Sequence, residues 1–188
     1  MWVHPHEDVA PEQLPQPERT CDNPPMERAS HDPDAHVVFE LANVDGWPPV
    51  GAERLWATDL GGGAYRIDNV PWFVRDLAVG DVVRAHAPDA GSHPVFREIV
   101  ERSDHVTVRL ICFRNGPLEG NLARALEPFT ALGVYGEGTA QYSMLALDIE
   151  PTAPLASIVS TLRHGVAEGW WEYEEGRITP AWIEATSG

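Results

Sequence analysis

A chain of 188 residues with 43% hydrophobic content has the apolar material for one medium domain or two small ones. Its formal charge of −16, uninterrupted by any basic patch, repels phosphate backbones and excludes general nucleic-acid binding. No apolar run is long enough to span a bilayer, and the N-terminus lacks the basic and apolar regions of a secretory signal, so a cytoplasmic location is expected.

All 13 basic residues are arginine. A coding sequence rich in G and C favours Arg, Ala, Gly and Pro over Lys, and this explains the bias better than selection for bidentate anion recognition. Cys21 lies in a polar stretch and Cys112 in an apolar one, so the two make no disulfide framework and point to a reducing compartment.

Residues 1–36 are dominated by Pro, Glu, Asp and His and show no apolar periodicity. Such a segment cannot bury enough area to offset its ordering entropy, and a disordered acidic tail is expected there. Val37 opens the folded part. Val37–Leu41 reads as a strand, followed by a loop broken by Gly46 and Pro48-Pro49. Glu53–Leu60 reads as a second strand, with Gly61-Gly62-Gly63 as a hairpin turn. Tyr65–Val70 alternates apolar and polar positions, and Pro71 ends it. Asp81–Ala87 and Val95–Arg102 follow. Short strands at close spacing, with no helix among them, predict a small β-barrel-like module over 37–104.

The pattern changes at residue 105. Val106, Val108, Leu110 and Cys112 give a strand with one apolar face. Leu118, Leu122, Ala125, Leu126, Phe129 and Leu132 then recur at helical spacing, with a kink or restart expected at Pro128. Val134–Gly138 and Ser143–Ile149 read as strands. Thr152 is the expected N-cap of a second helix carrying Leu155, Ile158, Val159, Leu162 and Val166. Trp170–Glu174 is the expected last strand. The order predicts a ferredoxin-like βαββαβ module over 105–188, with two helices on one face of a four-stranded antiparallel sheet. The expected fold class is therefore α+β.

Leu55-Trp56-Ala57, Ile67-Asp68-Asn69-Val70-Pro71-Trp72-Phe73, Leu77-Ala78-Val79-Gly80-Asp81-Val82-Val83 and Trp171-Glu172-Tyr173-Glu174 together resemble an uncharacterised bacterial family, the domain of unknown function 4265. The likeness runs from about Val37 to Gly176. Its most specific part is the proline–aromatic–aromatic step followed by Gly-Asp-Val-Val. Trp72 departs from the Phe usual at that place. The resemblance implies a fold and carries no activity, substrate or catalytic residue.

No nucleophile elbow or phosphate loop is present. His4, His6, Cys21, His31 and His36 match no structural zinc spacing, so neither a metal nor another cofactor is expected. Asp81 reads as a strand-start residue bonding nearby amides, and His105 as a solvent-side strand end. Glu53, Asp59 and Asp68 are candidates for paired carboxylates, with solvated charge as the simpler reading. The helix-free face of the second sheet needs a cover, which could be the barrel, a second copy or a ligand. Arg109, Phe113, Asp148, Trp171 and Tyr173 are the candidate residues there, suited to a protein partner or an anionic small molecule.

The leading expectation is a non-catalytic binding or interaction module with an unknown protein or small-molecule partner, a homodimer included. One alternative is an enzyme using Asp68, Asp81 and Arg109 between the modules. Another is an acidic toxin-neutralising protein. Nucleic acid and membrane are excluded as partners.

Overall fold

The computed structural model describes residues 34–187. The expected tail over 1–36 lies outside the described residues as far as position 33, and Ala35 and His36 already belong to the first strand. The architecture is mixed α+β: a closed five-stranded barrel and a second sheet with three helices.

The barrel consists of β1 (Ala35–Glu40), β2 (Ala52–Gly61), β3 (Ala64–Ile67), β4 (Val82–His86) and β5 (Val95–Glu101). Neighbours pair antiparallel in chain order, and a parallel bridge from Val38 to Val95 closes the ring. Alternation sends Val37, Phe39, Leu55, Ala57, Ile67, Val83 and Ala85 inward, where Leu77 joins them. Full burial of each larger side chain contributes roughly 1.5–3 kcal/mol. Gly61, Gly62 and Gly63 all take positive φ in the β2–β3 turn, which is why that turn is written in glycine.

The second sheet has the order β7-β8-β6-β9, with β6 (Val106–Cys112), β7 (Tyr135–Thr139), β8 (Met144–Ile149) and β9 (Trp171–Arg177) paired antiparallel throughout. Helix α1 (Leu122–Thr130) packs on β7 and β8, α2 (Leu155–Ala167) on β9, and α3 (Pro180–Thr186) on α2. Val106, Val108, Leu110 and Cys112 meet Leu145, Leu147, Ile149, Phe129, Ile158, Leu162, Trp171 and Trp182 in the main core.

The helices differ from the sequence expectation in three ways. First, α1 starts at Leu122 rather than Leu118, because the Asn121 side chain accepts from the Arg124 amide at 3.1 Å and fixes the N-cap. It runs unbroken through Pro128, which sits close enough to the end to cost one interior bond only. Second, α2 is capped by Pro154 without a side-chain bond, so Thr152 plays no capping part. Third, α3 was not expected. Its signal is Thr179-Pro180, an N-cap hydroxyl accepting from the Trp182 amide and a proline in the first turn. No helix among the described residues is long and apolar enough to cross a membrane.

Candidate functional site

The helix-free face of the second sheet carries Thr107, Arg109 and Ile111 on β6, Met144, Ala146 and Asp148 on β8, and Glu172 and Glu174 on β9. Most of it is covered by the chain itself. The connection between β3 and β4 leaves the barrel and lies across the sheet, where Val70, Trp72 and Val79 pack on Met144 and Ala146. Thr107 Oγ1 donates to the Leu77 carbonyl at 3.0 Å. A guanidinium nitrogen of Arg109 donates to the carbonyls of Trp72 and Val74, at 3.1 and 3.0 Å. Arg109 is only 2% exposed.

On the barrel side, Glu53 of β2 holds the same segment by its other polar groups. Its Oε1 accepts from the Trp72 amide at 2.6 Å, and its Oε2 from the Phe73 and Val74 amides at 2.8 Å each. Burial pushes the Glu53 carboxyl above its usual value, while the three amides and Arg109 pull against that shift. Burial likewise lowers Arg109, opposed by Glu174 and Glu53. Arg109 Nε lies 2.8 Å from Glu174 Oε1, close enough for an ion pair although its N–H does not point along the contact.

An opening remains where the cover ends. Trp47, Arg109, Ile111, Met144, Glu172, Tyr173 and Glu174 line a cleft of about 220 Å³. Trp47 is delivered by a tight turn. Val44 and Trp47 bridge, Asp45 and Gly46 take positive φ, and Asn43 accepts from the Gly46 amide and donates to the Pro48 carbonyl. Trp47 then leans edge-on against Phe73, which leans on Tyr142, each at 5.5 Å between ring centres. Trp47 is 43% exposed and Ile111 46%, an open apolar pair beside two carboxylates.

Of the expected site residues, Arg109 and Tyr173 reach this cleft. The other three do not. Trp171 pairs with Cys112 and is fully buried on the helix side, so its place in a binding surface is corrected. Tyr173 pairs with Leu110 and also packs on the main core; strand alternation puts Glu172 and Glu174, not the aromatics, on the open face. Phe113 lies just past the end of β6, 37% exposed and outside the cleft lining. Asp148 pairs opposite Thr107, two residues from Arg109, and holds His105 Nδ1 at 2.7 Å. His105 is therefore engaged and half-buried rather than a free solvent-side residue. Glu174 and Glu53 both act on Arg109, so its charge is met from within the chain.

Asp68 and Asp81 sit apart in bonding terms. Asp68 accepts from the Thr58 hydroxyl at 2.6 Å. Asp81 is buried and accepts from the Ala78 and Ser103 amides at 3.1 and 2.7 Å, beside Gly80 at φ 83°. This is the turn-bonding role read from the sequence. Asp59 caps the Gly61 amide, so Glu53, Asp59 and Asp68 serve three different local structures. His4, His6, Cys21 and His31 lie outside the described residues, while the His36 ring packs on Trp56 at a 40° tilt, 3.6 Å between ring centres. Among the described residues no group of three metal-ligating side chains converges.

Sequence reasoning missed Glu53 as the partner of the 72–74 segment and Trp47 as the wall of the cleft. A signal for the first was available, since Glu53 falls at an inward position between Leu55 and the strand start, where a charge needs donors.

No curated protein matches the chain. A hypothetical protein from Neisseria gonorrhoeae, known from its crystal structure, is similar with a TM-score of 0.62 and 16% identity, over 79% of this chain and 98% of that one. That likeness shows the fold alone. The family described as Domain of unknown function (DUF4265) matches residues 53–173, a span that holds Glu53, the 72–74 segment, Arg109 and the β9 carboxylates, and the chain belongs to that family.

Proposed function

We propose that this chain is a non-catalytic interaction module of the cytoplasm, built from a barrel over 37–104 and a ferredoxin-like module over 105–188, which takes a protein partner at the Trp47–Ile111 cleft. One observation carries the reading. The buried polar groups at the seam, Glu53, Asp81, Arg109 and Asp148, are engaged by backbone or by ion pairs, whereas the exposed residues at the opening include a large aromatic and a branched aliphatic side chain. Exposed Trp and Ile beside polar rim residues are the composition of a protein contact. Strand order β7-β8-β6-β9 with helical crossovers supports the ferredoxin-like assignment, and the free, buried Cys112 fits a reducing compartment.

The test is native mass spectrometry of protein purified gently from its host, as wild type and as Trp47→Ala/Ile111→Ser. The reading expects a protein, a second copy included, to be retained by the wild type and lost from a variant whose circular dichroism is unchanged. A stoichiometric small molecule, or a partner that both proteins retain equally, would overturn it.

A further inference from the structure

We infer that the occupant of the cleft is a guanidinium group, an arginine side chain presented by the partner protein; this rests on the cleft being the binding site. The size comes first. A volume of about 220 Å³ falls below the roughly 300–1,000 Å³ of small-molecule sites and fits one long side chain better than a cofactor.

The charge comes second. Glu172 and Glu174 stand on the same side of β9, about 7 Å apart by strand geometry. Glu172 is exposed, and no hydrogen bond or ion pair engages its side chain among the described residues. Glu174 is 51% exposed although it meets Arg109. Arg109 meets Glu174 through Nε and turns another guanidinium nitrogen inward to the Trp72 and Val74 carbonyls, so among the described residues no cation meets Glu172. The opening is therefore acidic, on a chain whose net charge of −16 steers cations toward it.

The wall comes third. Trp47 gives an aromatic wall, the residue type on which a planar cation packs best, and Ile111 and Met144 give apolar surface for the methylene stem. A guanidinium satisfies both at once: its plane lies on the ring and its fork of N–H groups reaches carboxylates on one strand. An ammonium would use the charge and leave the ring less well covered.

The probe is an N-acetylated, amidated Gly-Arg-Gly peptide, compared with its citrulline counterpart, which keeps the shape and removes the charge. Two-dimensional NMR of the full chain follows the Trp47 indole N–H and the amides of Ile111 and Glu172. The arginine peptide is expected to shift these signals saturably, to bind about fivefold more weakly to Glu172→Gln, and to bind more weakly as salt rises. Equal binding of the citrulline peptide, or no change in Glu172→Gln, would overturn the cationic occupant and leave the cleft as a binding site. Silence of the cleft signals up to about 10 mM of either peptide would also overturn it. The native mass spectra of the Trp47→Ala/Ile111→Ser variant then decide separately whether the cleft falls with it.

Discussion

Glu53 and Arg109 hold opposite polar edges of one short segment: Glu53 takes the amides of Trp72, Phe73 and Val74, and Arg109 takes the carbonyls of Trp72 and Val74. The carboxylate comes from the barrel and the guanidinium from the second sheet, so the segment is the joint between them. Without these two side chains, buried backbone groups of an irregular stretch would lack partners, which folded chains rarely tolerate.

Arg109→Met is expected to cost roughly 3–5 kcal/mol, because it leaves Glu53 buried without its countercharge and two carbonyls without a donor. Glu53→Gln is expected to cost less. The double variant should lose less than the sum of the two, since both act on one segment. Urea denaturation of the four proteins measures this, and strict additivity would contradict the shared role.

The Glu53 carboxyl, raised by burial, gives a pH dependence of definite sign. The folded protein holds this proton to higher pH than the unfolded chain does. Its contribution is full below the ordinary glutamate value of 4.5 and is lost as pH rises through the raised value. The thermal midpoint of the wild type relative to Glu53→Gln should therefore narrow as pH rises from 4.5. A gap that widens with pH would mean that the three amides outweigh burial.

Gly165→Ala is expected to destabilise, against helix propensity. Alanine would gain up to about 1 kcal/mol at this position in the last turn of α2. A Cβ at Gly165, however, would stand 2.0 Å from Trp171 Cζ2, on a ring that is fully buried. Overpacking of this kind costs roughly 1–3 kcal/mol or more. Adding Trp171→Leu to Gly165→Ala should lower the cost of the alanine step, read again from urea midpoints.

Cys112 is expected to be inert in the folded state. Burial pushes its thiol up to about 11, and the side chain is 1% exposed. In a Cys21→Ser background, a thiol reagent at pH 8 should react only as fast as the protein unfolds. Rapid labelling of the native protein would contradict the packing of β6 against the helices.

Much of this fold was legible because period carries burial. The alternation of Val106, Val108, Leu110 and Cys112 marked β6, and the Leu155–Val166 stripe marked α2. Gly61–Gly63 marked a turn for the plain reason that three positive-φ residues follow one another. The open face of the second sheet was harder. Period 2 sorts Trp171 and Tyr173 from Glu172 and Glu174, but only the pairing of β9 with Cys112 and Leu110 says which set meets the helices. The joint was not legible at all as a contact. Glu53 and Val74 are 21 residues apart and Arg109 and Trp72 are 37 apart, and nothing local in either stretch specifies the other. The short α3 was missed because seven residues offer too little period to outweigh their surroundings.

The most direct measurement is hydrogen–deuterium exchange at the Trp72, Phe73 and Val74 amides of the full chain, because the chain itself closes most of the helix-free face and leaves the cleft open. Held by Glu53 inside the joint, these amides should exchange as slowly as those of β6, through global opening. Exchange at the rate of an exposed loop would contradict that closure and return the whole sheet face to candidacy as a binding surface.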